Sequence, residues 1–180
     1  RKDPNDGMNH HTVLFPKNYD AEFDSIFKDA KPVERPTIYI CAPKDPLMSK
    51  DENLEGWFVL VNAPTHGVFD WSNKEFNEKY ASTIIDQIEE QEIPIRSRLE
   101  TITIRTPADL ESQTRAPGGA IYGTSSNGPR AAFLRAKNRS PIKGLYLVGG
   151  SAHPGGGLPL VGISADLVAE AIGYERKLRH

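Results

Sequence analysis

Cysteine is nearly absent from the chain: Cys41 stands alone among 180 residues, which excludes an intrachain disulfide framework and fits a reducing compartment. Set in the apolar run Ile38 to Ala42, it is expected to be an inert core residue rather than a nucleophile. Residues 1–11 are polar and turn-rich and do not resemble a secretory leader; the chain does not open with Met. Basic clusters interleaved with aromatics are missing and the formal net charge is −2, so nucleic acid is not an expected partner. Acids are missing from Ser112 to Ala165, where Arg115, Arg130, Arg135, Lys137, Arg139 and Lys143 carry all the charge. Such a one-sign stretch points to an anionic partner, a cofactor pyrophosphate or a lipid headgroup, or to a solvated loop balanced by acids elsewhere. G-x-G-x-x-G and Walker G-K-[ST] fingerprints are absent as well. So is any Ser/His/Asp set, zinc ligand set or acid pair that would suggest hydrolysis. His10 and His11 are adjacent, and successive strand side chains alternate between faces, so no metal site is expected.

What is present is concentrated between Gly144 and Ala165, a segment with seven glycines, two prolines and no Asp, Glu, Lys or Arg. Leu145 to Val148 reads as a short strand buried on both faces, stopped by Gly149-Gly150 where backbone passes close to something. Gly155, Gly156 and Gly157 keep the turn free of side chains, and Pro159 suits the first position of a helix. The N–H groups of Leu160, Val161 and Gly162 are then left without intrahelical acceptors, and Gly157 and Leu158 bring no capping oxygen. A helix N-terminus of this kind favours an anion or an electron-rich carbonyl; a structural turn with water on the helix end is the alternative. The segment is about as long as the roughly 20 residues of a membrane span, but its glycines and prolines argue against one.

The rest of the chain mixes strands and helices without regular βαβ alternation. A strand is expected at Thr12 to Phe15. A helix capped by Asp20 follows, with Phe23, Ile26, Phe27 and Ala30 on one stripe, ended by Lys31-Pro32. Strands are expected at Thr37 to Ala42 and Trp57 to Asn62, joined by a charged connection from Pro43 to Gly56 long enough to act as a flap. Ser72-Asn-Lys-Glu75 reads as a capping box opening a helix with Phe76, Tyr80, Ile84 and Ile88 on one face. Leu99 to Arg105 alternates as a strand with one wet face. Thr106-Pro-Ala-Asp109 starts a short helix, and Ala120 to Thr124 is a further strand candidate. The final helix is apolar nearly all round and so expects burial. The fold class expected is α+β to about residue 140, then the closing strand-turn-helix of a parallel α/β sheet from 141 to 180.

Three stretches carry a resemblance. They are His10-His11-Thr-Val-Leu-Phe15, Ile38-Tyr-Ile-Cys-Ala-Pro43 followed by Leu60-Val-Asn-Ala-Pro64, and Gly119-Ala-Ile-Tyr-Gly123 with Arg139 to Val161. Together they resemble the carboxyl-terminal part of the carotenoid (phytoene) desaturase family of flavoproteins. The resemblance spans nearly all of this chain but about the last third of a family member. It implies a Rossmann-like FAD-binding domain with an inserted substrate domain covering an apolar polyene tunnel. Residues 1–140 would belong to the substrate domain and 141–180 to the FAD domain, whose amino-terminal part has no counterpart here.

By the same resemblance, Gly149, Gly150, Ser151, Gly155, Gly156, Gly157, Pro159, Leu160 and Val161 would line the flavin. Gly150 and Ser151 would lie beside the ribityl-pyrophosphate arm, and Leu160-Val161 at the pyrimidine end of the ring. The implied reaction is desaturation of a long apolar carotenoid by an enzyme that is cytoplasmic and peripheral to the membrane, with the isolated 180 residues inactive. A polyene isomerase, a terminal-methyl oxidase and a non-catalytic substrate-binding portion are the alternatives. His153 is a candidate for catalysis or, more simply, a turn residue holding backbone, and His66 caps a loop or lies at a tunnel mouth.

Overall fold

The computed structural model describes residues 1, 8–43, 45, 47, 51–122 and 135–173. Among them is a three-stranded antiparallel meander, β1 (His11–Leu14), β2 (Ile38–Cys41) and β3 (Phe58–Val61), in the order β1-β2-β3. Helix α1 (Asp20–Phe27) connects β1 to β2, and α2 (Lys74–Glu89), α3 (Pro107–Thr114) and α4 (Leu158–Ile172) follow the sheet. Each strand lies within a residue or two of its expected place, because β-branched and aromatic residues at period two specify both the strand and its buried face.

That alternation divides the sheet into two unlike faces. His11 pairs with Cys41, Val13 with Tyr39, Tyr39 with Leu60 and Cys41 with Phe58, so these six residues share one face. Ile38 and Ile40 point the other way and are fully buried with Met8, Ile84, Ile88 and Ile93, with Leu14, Val61 and Tyr80 packed around them. Ile84, Ile88 and Tyr80 come from the expected face of α2, and the Tyr80 hydroxyl donates to the Val33 carbonyl at 2.8 Å. Burial pushes the Tyr80 phenol well above its ordinary range. The opposite sheet face stays open: Phe58 is 58% exposed and Val13 45%.

Helix α1 departs from its expected design. Asp20 lies inside the helix rather than capping it, and the Ala21 N–H donates to Asn18 Oδ1 at 3.3 Å instead. The helix ends at Phe27, before Lys31-Pro32, where the left-handed Ala30 (φ 56) turns the chain. Its buried residue is Glu22, 2% exposed. The Glu22 carboxylate accepts from the Thr37 N–H at 2.8 Å, the Thr37 hydroxyl at 2.6 Å and Asn62 Nδ2 at 2.8 Å, so polar bonds to both flanks of the sheet outweigh the apolar stripe. Phe23 and Phe27 face outward and continue a ladder of rings from Phe15 and Tyr19.

Other expectations shift for similar local reasons. Asn73, not Ser72, caps α2, accepting from the Phe76 N–H at 3.1 Å, because the Ser72 hydroxyl is taken by Asp70. The Thr106–Asp109 capping box of α3 forms as expected. Leu99 to Arg105 is not a strand: it has no ladder partner among the described residues, and Ile102 is exposed. Residues 121–122 form a turn, while 123–124 lie outside the described residues, as do 44, 46 and 48–50 of the expected flap. Leu145 to Val148 is likewise no buried strand. A single bridge joins Tyr146 to Arg139, and Leu145, Leu147 and Val148 are exposed, since a strand buried on both faces needs neighbours that these residues lack among the described residues.

Candidate functional site

The glycine-rich loop and the start of α4 form one continuous turn, held from behind by two side chains. Asn138 Nδ2 lies 3.0 Å from the Leu147 carbonyl, 2.9 Å from the His153 carbonyl and 2.9 Å from Ser164 Oγ. Two of these partners only accept, which fixes the amide orientation. Ser164 is completely buried, and its Oγ also accepts from the Gly149 N–H at 3.2 Å. Backbone bonds from the Leu147 N–H to Asn138 and from the His153 N–H to Ala136 complete the clasp. Arg135 closes the other side, with Nη1 donating to the Gly150 carbonyl at 2.9 Å and the Tyr122 carbonyl at 3.2 Å.

Backbone conformation calls for glycine at Gly149 (φ 117), Gly155 (φ 145) and Gly157, and close contact calls for it at Gly156. Gly157, the N-cap of α4, has φ 100, a left-handed conformation costly for other residues. Gly156 is required by contact, because a Cβ there would stand 2.4 Å from Tyr122 Cδ1. With Leu158 as the first helical residue, the Val161 N–H finds the Gly157 carbonyl at 2.9 Å. The donors without intrahelical acceptors are therefore those of Leu158 and Leu160, not Leu160, Val161 and Gly162, and no side chain caps them. Ser151, Pro159 and Leu160 are exposed beside them, with Val161 half-buried.

The structure thus brings Gly149, Gly150, Ser151, Gly155, Gly156, Gly157, Pro159, Leu160 and Val161 into one loop with open main-chain donors at its end. His153 enters it through its peptide, which both donates and accepts, while its ring is exposed. His66 accepts from the Trp71 N–H at 3.3 Å and its own N–H donates to Gly118, which is loop capping. The residues that sequence reasoning missed are Asn138, Ser164 and, as a strap, Arg135; an amide and a guanidinium in a basic loop, and one hydroxyl in an apolar helix, leave no periodicity to read. Outside Ser164, α4 buries no side chain, and Leu158, Ile163 and Ile172 face outward. No helix among the described residues is long and apolar enough to cross a membrane.

A second cluster lies at the edge of the open sheet face. His10 occupies a bend before β1, where strand alternation does not apply, so the expectation that His10 and His11 face apart fails. Their ring centroids are 4.4 Å apart. Cys41 is half-exposed beside them rather than in the core, and Tyr39 Oη lies 2.8 Å from His11 Nδ1. Desolvation and the neighbouring Cys41 hold the Tyr39 phenol above its ordinary range, so it stays a neutral hydroxyl.

No family model matches the chain. Curated proteins do. Over 165 residues it is 38% identical to a 1-hydroxycarotenoid 3,4-desaturase of Flavobacterium sp. (strain P99-3), covering 90% of this chain and 33% of that protein. The chain belongs to the carotenoid (phytoene) desaturase family. A hydroxyneurosporene desaturase of Rubrivivax gelatinosus is 36% identical over 170 residues, 90% of this chain and 31% of the relative. A lycopene-forming phytoene desaturase of Paracoccus sp. (strain N81106 / MBIC 01143) is 34% identical over 176 residues, 96% and 35% respectively. The chain spans about a third of the length of the curated relatives it matches.

Proposed function

We propose that this chain supplies the cofactor-facing loop and a substrate-covering sheet of an FAD-dependent oxidoreductase that desaturates a long apolar carotenoid. The observation that carries this reading is the start of α4, where the Leu158 and Leu160 N–H groups have no intrahelical acceptor, no side chain caps the helix, and Gly156 and Gly157 leave the approach bare. These residues fit the flavin end of such a cofactor, with Ser151 and Gly150 beside its ribityl-pyrophosphate arm and Leu160-Val161 at its ring. A bound flavin supplies the acceptor for hydride. What the chain's own groups supply is a fixed pair of main-chain donors and the positive end of a helix, which favour negative charge on a facing oxygen. Asn138 and Ser164 hold the loop so that those donors need not reorganise.

Substrate handling is assigned to the open sheet face. Val13, Tyr39, Phe58 and Leu60 form an uncharged surface along three strands, and the Phe15–Tyr19–Phe23–Phe27 ladder adds exposed rings. A polyene has no polar group to grip, so such a surface positions it by burial and excludes water, and positioning is the protein's main contribution to the rate. The same apolar substrate implies work at a membrane surface. The test is a full-length protein carrying this sequence, purified and given a phytoene-like polyene. Stoichiometric yellow flavin and a product with added conjugated double bonds are expected. A colourless protein, or a product with an unchanged number of double bonds, refutes the reading. The 180 residues alone are expected to bind no flavin and to be inactive.

A further inference from the structure

The cofactor reading leaves unused the cluster at the edge of the open sheet face. We propose that His10, His11 and Cys41 form a three-ligand site for a transition-metal ion of the zinc class. The backbone places two of the three. The Ala42 N–H donates to the His10 carbonyl at 2.9 Å, so the adjacent pair His11 and Cys41 is the non-hydrogen-bonded pair of the ladder, whose side chains stand closest on a shared face. The bend before β1 turns His10 onto the same side. One ligand atom from each residue, a ring nitrogen or the sulfur, then lies within 4.8 Å of the others.

Tetrahedral zinc bound at about 2.0–2.1 Å to nitrogen and about 2.3 Å to sulfur has ligand atoms about 3.3–3.6 Å apart. The closure required is about 1 Å, within reach of side-chain rotation for two exposed imidazoles and a half-exposed thiol. Two imidazoles and a thiolate select zinc-like and softer ions over magnesium or calcium, which want oxygen. Tyr39, hydrogen-bonded to His11 Nδ1, is the positioning residue that orients that ring. Three protein ligands leave a fourth position open to water or another exchangeable group.

The chain, reduced and freed of metal by chelation, is titrated with Zn2+ alone by calorimetry, and with Co2+ as a spectroscopic stand-in. Expected are a single tight ion, release of about one proton on binding, and thiolate-to-cobalt charge-transfer absorption in the near ultraviolet. Cys41→Ser abolishes that absorption, and His10→Ala or His11→Ala weakens zinc at least about tenfold. Because these side chains are exposed or half-exposed, the metal-free variants keep the wild-type melting temperature. Tyr39→Phe, which keeps the ring packing and removes the bond to His11, gives a smaller loss. Absence of charge transfer in the wild type, its survival in Cys41→Ser, or wild-type zinc affinity in either histidine variant overturns the proposal.

Discussion

Replacing Asn138 with alanine removes the clasp behind the glycine loop while touching none of the residues assigned to the flavin. Its amide has two N–H groups facing three acceptors, the Leu147 and His153 carbonyls and Ser164 Oγ, all at 2.9–3.0 Å. Two bonds' worth of donation is lost, at a net of about 0.5–1.5 kcal/mol each, so Asn138→Ala destabilises the loop by about 1–3 kcal/mol. Asn138→Asp is worse. It keeps the shape but turns a carboxylate with nothing to donate towards two carbonyls, with only the Ser164 hydroxyl able to donate to it. Hydrogen exchange reads the loss directly: protection of the Gly149 and His153 N–H groups falls about tenfold for every 1.4 kcal/mol, while the Ile38 and Ile40 amides in β2 are unaffected. In the full-length protein, flavin dissociation accelerates by a comparable factor. Ser164→Ala gives a similar local loss, and the double variant shows a coupling of about 0.5–3 kcal/mol with Asn138. Unchanged exchange at Gly149 and His153 in Asn138→Ala refutes the clasp.

Gly156→Ala sets a Cβ into the Tyr122 ring and is expected to destabilise by about 1–3 kcal/mol, measured by chemical denaturation; Tyr122→Ala in the same chain should recover most of the loss. At α3, hydrogen bonds from the Thr106 N–H and hydroxyl hold the Asp109 carboxyl below its ordinary range. A depressed carboxyl contributes stability that is full above the unfolded value near 3.9 and is lost as pH falls through the folded value. Asp109→Asn should therefore be less stable than wild type near neutral pH and converge with it in acid, as denaturation across pH will show.

The sheet and α2 were legible in sequence because their signals agree at more than one level. In β2, β-branched and aromatic residues coincide with a two-residue period that buries Ile38 and Ile40, and in α2 the apolar face repeats at helical spacing. Where a signal rested on one level it failed. Leu99 to Arg105 alternates well, yet alternation describes faces and says nothing about whether a neighbouring backbone is there to pair. Ser72-Asn-Lys-Glu75 has the composition of a capping box, but the Asp70 carboxylate two residues earlier captures the serine hydroxyl. The glycine loop was readable as a loop, since glycine and proline punctuate strongly. Its clasp was not, because Asn138 acts through hydrogen bonds from a single amide that no pattern announces. Glu22 was hidden by its own helix: a carboxylate beside an aromatic stripe reads as surface, and three donors from two other segments reverse that reading.

The central strand is, in effect, a ruler with two owners. Along β2, the even positions Ile38 and Ile40 answer to the packing under α2, and a change of one methyl group there is felt by the whole domain. The odd positions Tyr39 and Cys41 lie on the open face and answer to whatever occupies it. Divergence within the family should therefore partition by parity within four consecutive residues. Volume at 38 and 40 would be conserved across members, while 39 and 41 change only as the occupant of the open face changes, so four residues can carry two independent sets of constraints.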